Sequence, residues 1–65
     1  MSVTLTVTGM SGAACEANVV EALERVAEVE SASADHETNT AVVEGETDVN
    51  LLVAAVADAG YEASA

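Results

Sequence analysis

The hydrophobic period of this chain switches between two and about 3.6 along its length, and the order of the switches leaves few folds open. Val3, Leu5 and Val7 alternate with Thr4, Thr6 and Thr8, the pattern of a strand with one face buried and one in water. After a glycine-containing loop, Gly9 to about Ala13, the apolar residues Val19, Leu23 and Val26 recur at helical spacing. Ala22 and Ala27 lie on or beside that stripe, while Glu16, Glu21, Glu24, Arg25 and Glu28 lie mostly off it. An amphipathic helix from about Ala14 to Ala27 follows. Alternation returns at "VESASAD", with Ala32 and Ala34 on one face and Ser31, Ser33 and Asp35 on the other. The polar "HETN" is a turn, and "TAVVEGE" is the returning strand with Ala41 and Val43 inward. Thr47 or Asp48 caps a second helix whose buried stripe is Leu52, Ala55, Val56 and Ala59 and which Gly60 ends. "YEASA" is a short last strand.

The resulting order, β-α-β-β-α-β, predicts an α+β ferredoxin-like sandwich with two helices on one face of a four-stranded antiparallel sheet. Residues 1–65 make a single domain. In this topology the loop after the first strand, the turn near His36 and the loop before Tyr61 gather at one pole. A site on the first loop can draw on the other two. At 65 residues the chain is near the lower limit for folding without staples, and its one cysteine forbids an internal disulfide. The core must come from small aliphatics, because Phe and Trp are absent and Tyr61 is the lone aromatic.

Twelve acidic residues against one base, Arg25, give a net charge of −11. Such a surface repels the phosphates of nucleic acid and of anionic membranes. The acids are spread along the whole chain, which reads as adaptation to a high-salt, halophilic cytoplasm rather than as an acidic tail for a partner. No segment has the length or continuity of a signal peptide or a membrane span, so a soluble, cytoplasmic protein is expected.

The chemistry concentrates in "GMSGAAC", Gly9 to Cys15, which opens the first helix and ends in the only cysteine. A thiol at a helix N-terminus is favoured as thiolate, the form that binds soft metals. This stretch, together with "DAGY" before the last strand and the element order, resembles the heavy-metal-associated domain family of copper chaperones and metal-transporting ATPase tails. The family pattern is G-M-x-C-x-x-C. Gly9 and Met10 match it, Ser11 is the free position, Cys15 is the second cysteine, and Gly12 stands where the first should be.

The resemblance implies that Cys15 is a metal ligand, that Met10 supports the loop and is a weak ligand candidate, and that Tyr61 lies close to the metal behind the ligands. The metal it implies is Cu(I). Core filling is the plainer role for Met10, and packing over the loop the plainer one for Tyr61. His36 shares parity with Ala32 and Ala34 and is a further ligand candidate, although a hydrogen bond to an acid or water is the simpler fate of a histidine in a turn. It is placed on an edge strand, out of reach of the first loop. No catalytic residue is expected, because nothing suggests a paired base and a thiol redox enzyme needs a resolving cysteine or a basic partner. Two functions remain open at this point. One is a metallochaperone-like module with an incomplete, one-cysteine site. Its partner would be a metal-transporting ATPase or another heavy-metal-associated domain, and it would be a monomer or a metal- or disulfide-bridged dimer through Cys15. The other is an interaction or regulatory domain that keeps the fold and binds no metal.

Overall fold

A computed structural model of the chain describes residues 2–64. The elements run β1 (Ser2–Thr8), α1 (Ala13–Glu24), β2 (Val29–Asp35), β3 (Thr40–Gly45), α2 (Val49–Asp58) and β4 (Glu62–Ser64). The strands form one antiparallel sheet in the order β2-β3-β1-β4. β1 pairs with β3 through Leu5↔Ala41 and with β4 through Thr8↔Glu62. The helices pack against each other, α1 also lies on β2 and α2 on β4, so both cover one face of the sheet. This is the ferredoxin-like fold that the switches of period predict. Ala65, the end of the predicted last strand, lies outside the described residues.

The strand patterning decides which face is buried. Leu5 and Val7 are fully buried, while Thr4, Thr6 and Thr8 are exposed. On β3, Ala41 is buried opposite Leu5 and Val43 opposite Val3, and Ala32 and Ala34 on edge strand β2 are half-buried. Val19 and Leu23 of α1 and Leu52 and Val56 of α2 close the core from the helix side. Each fully buried Leu or Val contributes about 1.5–3 kcal/mol of transfer free energy. No aromatic ring is needed to fill so small a sandwich.

Two details differ from the sequence reading, the end of α1 and the buried stripe of α2. α1 stops at Glu24, three residues early. The Val26 amide bonds back to the Leu23 carbonyl at 3.1 Å in a tighter turn, and Glu28 takes a left-handed φ of 72° that turns the chain into β2. Val26 is therefore half-buried below the helix end, and Ala27 is exposed. In α2 the buried residues are Leu52 and Val56, with Val49, Val53 and Ala55 half-buried and Ala59 exposed at the C-cap. Of the two candidate caps, Asp48 is the one used: its carboxylate accepts the Asn50 amide at 2.8 Å. The Thr47 hydroxyl is buried and has no hydrogen-bond partner among the described residues.

Candidate functional site

The loop between β1 and α1 is held from below and open above. Met10 is 8% exposed and belongs to the core cluster, so its thioether is packed rather than presented. Gly9, at φ +98°, lets the chain turn over the Tyr61 ring; a Cβ there would sit 3.6 Å from Tyr61 Cδ1. Gly12 is the N-cap of α1, and its carbonyl accepts the amides of Cys15 and Glu16, each at 3.1 Å. Its backbone is extended, with φ 172°. A Cβ at Gly12 would meet nothing within 4 Å. Neither conformation nor space requires glycine at this position.

Cys15, half-buried in the first turn of α1, is a free thiol. Ser11 Oγ lies 3.5 Å from its sulfur. The thiol pKa is lowered to about 7, first by the Ser11 hydroxyl, then by the Ser11 amide and the Tyr61 hydroxyl, with partial desolvation opposing. Each of these donors stabilises the anion more than the neutral thiol. The Tyr61 hydroxyl also accepts a hydrogen bond from the Asn18 amide nitrogen at 3.3 Å. Cys15, Ser11, Asn18 and Tyr61 thus form one small polar group at the pole.

His36 has the simpler fate that the sequence suggests, a hydrogen bond to an acid, and the acid is Glu16. It is the first residue of the turn after edge strand β2, and from there it reaches across to α1. Its Nδ1 is 2.5 Å from Glu16 Oε2, and its backbone amide donates to the same oxygen at 2.7 Å. These two bonds pull the Glu16 carboxyl below the usual carboxylate range, the amide bond first. The Glu16 hydrogen bond in turn raises the His36 pKa, against desolvation. Glu16, read in the sequence as a solvated helix residue, is therefore the bridge between the helix that carries Cys15 and the β2–β3 turn.

Ser11, Asn18 and Glu16 were missed as site residues. Ser11 occupies the free position of the motif, so the pattern puts no demand on it. Asn18 stands three residues after Cys15, a spacing that places both on one helix face. The Asn18 partner is 43 residues away in sequence, and no local signal points to it. A thiol with these donors is expected to react in the native state with a neutral alkylating agent, with a rate that rises through pH of about 7. Ser11→Ala should move that midpoint up, and Tyr61→Phe should move it up by less. Stopped alkylation followed by mass spectrometry measures this. A thiol that reacts only on unfolding would instead be a core residue.

The fold and this pole define a class: a ferredoxin-like sandwich that carries a free, half-buried thiol where its first loop enters its first helix. The chain belongs to the heavy-metal-associated domain family, whose description matches residues 4–62. It is similar in structure to a CopZ metallochaperone, with a TM-score of 0.93 and 28% identity over 98% of this chain and all of that one. It is also similar to oxidized MerP from Ralstonia metallidurans CH34, with a TM-score of 0.91 and 40% identity over 98% of this chain and 93% of that one. A third relative is a copper binding domain from HMA7, a P-type ATPase, with a TM-score of 0.85 and 37% identity over 97% of this chain and 89% of that one. The chain is thus related to metallochaperones and to a transporter's metal-binding domain. Among the described residues no helix is long and apolar enough to cross a membrane.

Proposed function

We propose that this chain is a metallochaperone-like module for a soft metal ion, Cu(I), and that it carries the ion in complexes shared with a second molecule. The observation that carries the reading is the Cys15 thiol, poised near pH 7 by Ser11 and Tyr61 at an accessible pole. Thiolate is the ligand Cu(I) prefers. The second ligand must come from outside the chain. Gly12 offers no donor, Met10 is in the core, and His36 is engaged with Glu16. A cysteine of a metal-transporting ATPase, of another heavy-metal-associated domain, of a second copy, or of a low-molecular-weight thiol can complete the site. Transfer is then ligand exchange: the incoming thiolate bonds to the ion before Cys15 leaves it, and Cys15 returns to its Ser11 and Tyr61 donors.

Competition of the reduced protein with a chromophoric Cu(I) chelator tests this, with and without added glutathione. The parent is expected to take up Cu(I) only when a second thiol is available or at two chains per ion. Cys15→Ser should take up none. Sedimentation with substoichiometric Cu(I) should show the two-chain species, less of it in low salt where the acidic copies repel. Equal uptake by Cys15→Ser would remove the thiol from the reading. No uptake under any condition would leave the other function, an interaction domain that keeps only the fold.

A further inference from the structure

We propose a second metal site, for a borderline divalent cation such as Zn2+, made by Glu16, Asp35 and His36 on the flank of the domain where β2 ends against the first turn of α1. One ligand atom of each of these three residues lies within 4.8 Å of the other two. The Cys15 sulfur is not in the group, and the proposal does not depend on the Cu(I) reading.

Two features separate this constellation from the acidic surface around it. The first is the imidazole. His36 is the chain's only histidine, and imidazole with carboxylates is a donor set for zinc, nickel or cupric ions rather than for calcium or magnesium alone. The second is that the donors come from α1 and from the end of β2 with its turn, and are already hydrogen-bonded close together. The Glu16 Oε2 atom accepts both the His36 amide, at 2.7 Å, and Nδ1, at 2.5 Å. Asp35 Oδ1 accepts the Glu37 amide at 2.9 Å, which orients that carboxylate and leaves its other oxygen available. Backbone bonds to ligating carboxylates are what fixes their direction in metal sites.

The charge around the site has the right sign. Glu16 and Asp35 converge on one imidazole, with Glu37 next in the chain, and the only strong base, Arg25, is paired with Glu21 in the last part of α1. A bound dication would replace the proton shared by Nδ1 and Glu16, and that proton would leave to solvent. Zn–N and Zn–O bonds of about 2.0–2.2 Å set tetrahedral ligands roughly 3.4 Å apart, so the Glu16 carboxylate must back away from the ring by about 1 Å. Glu16 can do this about its own side-chain torsions, with one carboxylate oxygen on the ion and the other left to accept the His36 amide. Three protein ligands leave the fourth position to water.

Zn2+ titration in competition with a chromophoric zinc indicator, at moderate salt and neutral pH, decides the matter. One equivalent should bind the parent, and Cys15→Ser should bind it equally. His36→Gln, and separately the Glu16→Gln/Asp35→Asn pair, should weaken binding at least tenfold, with circular dichroism showing each variant folded. A large excess of Ca2+ should not displace the ion. In nuclear magnetic resonance spectra Zn2+ should shift the His36 ring signals of both the parent and Cys15→Ser. Loss of binding in Cys15→Ser would make the thiol the ligand. Unchanged binding in His36→Gln, or displacement by Ca2+, would reduce it to counter-ion attraction by the acidic surface. Either result overturns the site, as does the absence of binding in the parent.

Discussion

Gly12→Cys is expected to raise Cu(I) affinity by a factor on the order of 10²–10⁴ and to bring the stoichiometry to one ion per chain, because the second thiolate then binds within the same molecule. The geometry supports the substitution directly. Gly12 has an extended backbone that any residue adopts, and a Cβ there meets no atom within 4 Å. It is the N-cap residue and Cys15 stands three positions on, so the two sulfurs would start from the same turn. The Ser11 and Tyr61 donors are already in place for the Cys15 thiolate. Competition with a chromophoric Cu(I) chelator under reducing conditions measures the change, and Gly12→Ser serves as the control for an added side chain without a soft donor. A Gly12→Cys protein that is folded but binds no better than the parent would mean that the loop is not a metal loop and that the family likeness ends at the fold.

The melting temperature should rise by several degrees or more between about 0.1 and 2 M KCl, as screening removes self-repulsion. Of the twelve carboxylates only that of Glu16 is half-buried; the others are exposed. The Cα radius of gyration is 10.0 Å. At 0.1 M salt the Debye length is about 10 Å, comparable to the whole molecule, so each carboxylate feels many others; at 1 M it is about 3 Å and only neighbours interact. Salt also weakens favourable pairs. Here Arg25–Glu21 is exposed, at 76% and 65% of the two side chains, and one such pair cannot offset repulsion spread over a net charge of −11. In a domain of this size about 1 kcal/mol corresponds to roughly 4–8 °C. Circular dichroism melts across that range give the answer. A flat or falling midpoint would sink the high-salt interpretation of the composition and leave the acids to be explained by a partner.

The sequence by itself determined the element order, the buried face of each strand and the loop that presents Cys15. These follow from signals that act over a few residues. Threonines alternating with Val3, Leu5 and Val7 can satisfy only one strand face, Asp48 can cap only the turn that follows it, and Gly60, at φ +97°, ends the helix it follows. The thiol's place was legible for the same reason, since Gly9, Met10 and Cys15 sit in one short loop and turn. The tertiary structure decided which side chains meet across the pole. His36 finds Glu16 from 20 residues away, and Asn18 finds Tyr61 from 43 away. Such pairs depend on how far α1 slides along the sheet, where Val19 and Leu23 join the strand residues in one core, and on where β2 stops. The early end of α1 and the exposure of Ala59 belong to the same level. Helical spacing says which residues share a stripe, but only the curvature and extent of the opposing sheet say how much of that stripe is covered.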